Sequence, residues 1–61
     1  MKSKTYFIND TQETQANFTE TPNSFVLEFN KESGISYALE SNRENFLGLA
    51  KFIQEYFQTQ Q

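Results

Sequence analysis

At 61 residues and 7.2 kDa the chain has room for one domain, residues 1–61, and none for a cleft between two. A domain this small buries about 60% of the surface its unfolded chain exposes, so it needs very good packing or a second chain. The absence of Cys, His and Trp excludes disulfide staples, thiolate nucleophiles and Cys or His metal ligands, while a net charge of −3 with five basic residues disfavours direct binding to a phosphate backbone.

Taken in chain order, Met1-Lys2-Ser3-Lys4 is basic but no apolar run follows it, so no signal peptide is expected. Lys4-Thr5-Tyr6-Phe7-Ile8 reads as a strand with three large apolar residues together. Asn9 to Gln15 is a polar connector, and Ala16-Asn17-Phe18-Thr19-Glu20 reads as a second, shorter strand. Thr21-Pro22-Asn23 is a turn. Ser24 to Phe29 alternates, with Phe25, Leu27 and Phe29 on one face; Ile35 to Glu40 alternates likewise, with Ile35, Tyr37 and Leu39. Between them Asn30 to Gly34 is turn-rich, and Gly34 can take a positive φ. Pairing Phe29 with Ile35, Leu27 with Tyr37 and Phe25 with Leu39 puts all six apolar residues on one face, and a one-residue slip would break every pair. The opposite face carries Ser24, Val26, Glu28, Ser36, Ala38 and Glu40.

The last third is a helix from about residue 42 to about 58. Ser41-Asn42-Arg43-Glu44 fits a capping box, with Glu44 in the first turn where the helix dipole favours an acid. Phe46, Leu49, Ala50, Ile53, Tyr56 and Phe57 recur at the spacing of a buried stripe. Leu47 and Phe52 widen the apolar arc to about 220°, where a helix lying on one sheet needs little more than about 100°. A small sheet cannot cover both flanks. Leu47, Phe52 and Tyr56 are therefore the candidate self-association surface, with Val26 and Ala38 a second candidate interface. Gly48 falls beside Phe52 on the helical wheel, where the absence of a side chain suits either a plain surface or the close approach of another backbone.

Chemistry has little to work with. Carboxylates are the raw material: Asp10 and Glu13 in one loop, Glu28 and Glu40 on the outward sheet face, Glu32 in a turn. A hydrolase built from two of them needs a pocket, and a two-layer domain of this size is expected to have no room for one. Tyr6, Tyr37 and Tyr56 read as amphipathic residues at the core edge. With glycines at 34 and 48 alone there is no phosphate cradle. Asn9-Asp10-Thr11 and Asn17-Phe18-Thr19 match the glycosylation triplet, which has meaning only in a secreted chain. No catalytic, cofactor or metal residue is assigned, and no enzyme activity is expected. No apolar run exceeds Phe25-Val26-Leu27, so no membrane span is expected and the plain reading is a cytoplasmic protein.

The stretch FVLEFNKESGISYALESNRENF followed by LAKFIQEYF, within Ser24 to Phe57, resembles the strand–turn–strand–helix part of some anti-CRISPR inhibitors of Cas9 in order and spacing. Short, acidic and free of cysteine, the chain is also similar to small phage-encoded anti-defence proteins. Its length resembles that of the Hachiman anti-defence class, small binding proteins that can dimerise. The resemblance covers just over half the chain and carries no functional position onto it. It implies a non-enzymatic inhibitor that binds a bacterial host protein in the host cytoplasm. The residues themselves leave a second reading open, an accessory subunit stable only within a larger complex. The expected fold is α+β: an antiparallel sheet of three to four strands with one C-terminal helix packed on one face, as a homodimer.

Overall fold

The computed structural model describes residues 2–32, 34 and 36–59. The fold is α+β, a four-stranded antiparallel sheet followed by one C-terminal helix. The strands are β1 (Lys2–Phe7), β2 (Thr14–Glu20), β3 (Phe25–Lys31) and β4 (Ser36–Ser41), and the helix is α1 (Arg43–Thr59). Spatial order follows chain order, so each strand pairs with its sequence neighbour in a meander.

The connections explain the register. Between β1 and β2 the Asn9 side chain organises the loop, its Oδ1 accepting from the backbone N–H of Glu13 at 3.1 Å and of Thr14 at 3.4 Å. Gln12 completes that turn at φ 63°, and its N–H donates to the Asn9 carbonyl at 3.1 Å. Between β2 and β3 the turn expected at Thr21-Pro22-Asn23 is closed by reciprocal bonds: the Ser24 N–H donates to Thr21 Oγ1 at 3.0 Å, and the Thr21 N–H to the Ser24 carbonyl at 2.9 Å. Gly34 takes φ 94° after Lys31, whose carbonyl accepts from its N–H at 3.0 Å.

Two expectations are corrected here. The β3–β4 register pairs Phe29 with Tyr37, Leu27 with Leu39 and Phe25 with Ser41, two residues from the expected alignment. Because side chains alternate with period two, a shift of two keeps every apolar residue on its face. Ile35 lies outside the described residues. The helix cap is Asn42 rather than Ser41: Asn42 Oδ1 accepts from the Asn45 N–H at 2.8 Å, and its carbonyl from the Phe46 N–H at 3.2 Å. Ser41 is still a strand residue paired with Phe25, and its Oγ accepts from Asn45 Nδ2 at 3.0 Å.

Alternation along the observed register sorts the sheet into two faces. One face carries Lys4, Tyr6, Ala16, Phe18, Phe25, Leu27, Phe29, Tyr37 and Leu39. The other carries Thr5, Phe7, Asn17, Thr19, Val26, Glu28, Ala38 and Glu40.

The helix joins the aromatic face narrowly. Asn42 alone separates β4 from α1, where strand–helix links usually take about two to six residues. So short a link brings the first turn against the sheet and leaves no turn with which to fold back along it. Contact is made by Phe46, edge-on to Phe18 with centroids 5.0 Å apart. The radius of gyration is 13.1 Å, against about 10.5 Å for a compact domain of this length. No described residue is buried. Stacking of Phe18 on Phe25, with centroids at 5.6 Å, forms the nearest thing to a core.

Candidate interaction surface

Where the helix leans away from the sheet it leaves an open apolar cleft of about 400 Å³. Its floor is Phe18, Phe25 and Leu27; its wall is Phe46, Leu47, Leu49, Ala50 and Ile53. A pocket of this size was not expected from a two-layer domain of 61 residues. It exists because the helix meets the sheet at one end only. Arg43 is the one charged residue in its lining, and no carboxylate is among them, so the cleft is suited to apolar contact rather than to acid–base work.

The open surface continues past the cleft in both directions. Further along the aromatic sheet face, Tyr6 is 71% exposed and Tyr37 65%, with Ala16 and Phe29 between them across the sheet and Leu39 beside Tyr37 on β4. Further along the helix, Phe52 is 66% exposed and Phe57 67%, and Tyr56 stands edge-on to Phe57 with centroids at 5.4 Å. A folded monomer of 7.2 kDa exposes about 4,100 Å². This chain exposes 5412 Å², an excess of about 1,300 Å². If only half of that excess is apolar, leaving it in water forgoes about 16 kcal/mol, more than the whole net stability of a typical small domain.

The expected interface residues fall into separate places. Leu47 lies on the cleft wall, yet 56% of its surface is free. Phe52 and Tyr56 lie beyond the cleft on one flank of the helix, both exposed. Val26 and Ala38 sit on the opposite sheet face and are not continuous with these three. Sequence reasoning passed over four interface candidates by placing Tyr6 and Tyr37 at the core edge and Phe29 and Leu39 on the sheet face that the helix was to cover. The signal available was the single residue left between the last strand and the helix.

The second face is polar and ordered. The Thr5 hydroxyl donates to Asn17 Oδ1 at 2.5 Å, and the Ser24 hydroxyl to Glu40 Oε2. Asn17 is thus engaged within the sheet, and Asn9 within its loop. Glu28 and Glu40 share this face on adjacent strands. Asp10 is exposed in the first loop, while Glu13 and Glu32 border a shallow polar depression with Asn9, Thr14 and Lys31. Among the described residues no cluster of three metal-ligating side chains occurs, and no helix is long and apolar enough to cross a membrane.

No family model matches the chain, and neither a curated protein nor a solved structure is similar to it.

Proposed function

We propose that the chain is a non-enzymatic binding protein of the phage anti-defence type. In this reading it acts as a homodimer in the host cytoplasm and blocks a bacterial immune or nucleic-acid enzyme by direct contact. The observation that carries the reading is the unshielded aromatic surface shared by sheet and helix, which fits adhesion to protein and offers nothing for turnover. The roles divide between the two sides of the sheet. The aromatic face and helix self-associate, and the ordered outer face, with Val26 and Ala38 on its β3–β4 half, meets the target. A charge of −3 on each copy steers the protein toward basic grooves of nucleic-acid enzymes without replacing the nucleic acid.

That no described residue is buried also favours the accessory-subunit reading, because such a chain gains its stability from whatever covers it. The two differ in the behaviour of the purified chain. An inhibitor melts cooperatively by itself at micromolar concentration; a subunit remains molten until its complex is supplied. The inhibitor reading is tested by capturing a bacterial enzyme on the tagged chain and titrating that enzyme's activity with the purified protein. Inhibition that saturates at a fixed stoichiometry is expected. A captured enzyme whose rate is unchanged at saturation contradicts inhibition, as does turnover by the chain itself.

A further inference from the structure

We propose that the open face is covered by a second copy of this chain, the two copies exchanging the C-terminal halves of their helices. In this arrangement Phe52, Tyr56 and Phe57 of each copy lie over Tyr6, Phe29 and Tyr37 of the other. It rests on the self-associating binder proposed above and specifies how two copies join.

Three observations lead to it. The first is area. The excess exposure of about 1,300 Å² per chain exceeds the roughly 800 Å² per partner of a standard interface and falls within the range of obligate homodimers. The second is that one chain holds two orphan aromatic patches. The half of the sheet face around Tyr6, Phe29 and Tyr37 has no helix over it, and the half of the helix around Phe52 to Phe57 has no sheet under it. The link of Asn42 alone keeps them from meeting within one chain. A two-fold axis makes any such pair of patches self-complementary, since sheet meets helix and helix meets sheet at once. A short connector before an otherwise orphaned element is also the usual setting for exchange between copies.

The third observation is charge. Each copy is acidic, so dimerisation fails if like charges meet. No carboxylate stands among Tyr6, Phe29 and Tyr37 or among Phe52, Tyr56 and Phe57, and Glu55 borders the helix patch on the Phe52 side. Glu44 and Glu55 lie on the helix side about 160–180° from Phe46, away from the sheet. Glu20, the carboxylate on the aromatic face, is at the near end, opposite Lys2 in the register.

The absence of native cysteine makes the arrangement directly testable. Two variants, Tyr37→Cys and Phe57→Cys, are mixed, unfolded, refolded together and oxidised. The expected main product on a non-reducing gel is the covalent heterodimer of the two chains. A yield no higher than that of either variant's own homodimer overturns the arrangement. A chain carrying both substitutions separates the remaining geometry: a bond within one chain shows the helix closing on its own sheet and overturns exchange, whereas a doubly linked dimer supports it. Should the cysteines impair folding, equilibrium sedimentation of the unsubstituted chain decides, because a monomer at micromolar concentration overturns the proposal. A covalent dimer that inhibits no host enzyme leaves this arrangement standing and removes the inhibitor; a monomer that inhibits one does the reverse.

Discussion

The ring of Phe46 meets that of Phe18 at an interplanar angle of 89°, and through this edge contact the helix is held to the sheet. Both rings border the apolar cleft, and Phe18 is stacked in turn on Phe25. Truncating Phe46→Ala removes a half-buried ring together with an aromatic pair, at an expected cost of about 2–3 kcal/mol. Phe46→Leu keeps the burial and loses the edge contact, at about 1 kcal/mol. Urea unfolding of the two variants beside the parent, at matched chain concentration, measures both losses.

Asn42 rather than Ser41 caps the helix. Asn42→Ala is expected to lose about 1 kcal/mol by leaving the Asn45 N–H without its acceptor. Ser41→Ala gives up only an exposed side-chain bond to Asn45 and is expected to change stability by less than about 0.5 kcal/mol. Thermal melts of the pair rank the two residues.

Gln12 occupies the left-handed region at φ 63°, where a side chain is costly. Gln12→Gly is expected to stabilise the fold by about 0.5–1 kcal/mol, the relief of left-handed strain outweighing the added freedom of the unfolded chain. A higher urea midpoint with an unchanged slope is the signature.

At Gly48 an added Cβ meets nothing within 4 Å, so the chain itself supplies no reason for glycine there. Gly48→Ala is expected to raise stability by about 1 kcal/mol and to leave self-association unchanged. Weaker self-association would instead place a second backbone against that side of the helix, the alternative that its position beside Phe52 raised.

The sequence makes the element order legible because each strand carries its own alternation and each turn its own chemistry: Asn9 and Gln12, Thr21 and Ser24, Gly34. The face assignment of Phe25, Leu27 and Phe29 survives a two-residue error in register because parity fixes the face and only the turn fixes the offset. The identity of the cap is harder to read, since Ser41 and Asn42 are adjacent and equally suited to the role. What decides between them is pairing of Ser41 with Phe25, a contact between residues far apart in the chain. The excess of apolar helix surface is visible in the spacing of Leu47, Phe52 and Tyr56. The matching excess on the sheet is not, because alternation says which face is apolar and nothing about how far a helix reaches across it.

Phe57→Asp places a charge in the exposed aromatic end of the helix, where solvent accommodates it in a lone chain. It is expected to weaken self-association at least about tenfold, because a dimer would have to desolvate the carboxylate. Val26→Ser on the outer face is expected to leave self-association within about a factor of two. Sedimentation velocity over a dilution series reads both.

The central claim is that this chain completes its core with a copy of itself. Its most direct test is the mass of the unsubstituted protein by equilibrium sedimentation across a dilution series, with far-ultraviolet circular dichroism on the same samples. The account predicts a particle of about 14 kDa, twice the 7.2 kDa chain, that loses its cooperative fold as it dissociates. A particle of 7.2 kDa that keeps a cooperative thermal transition at every concentration would contradict it.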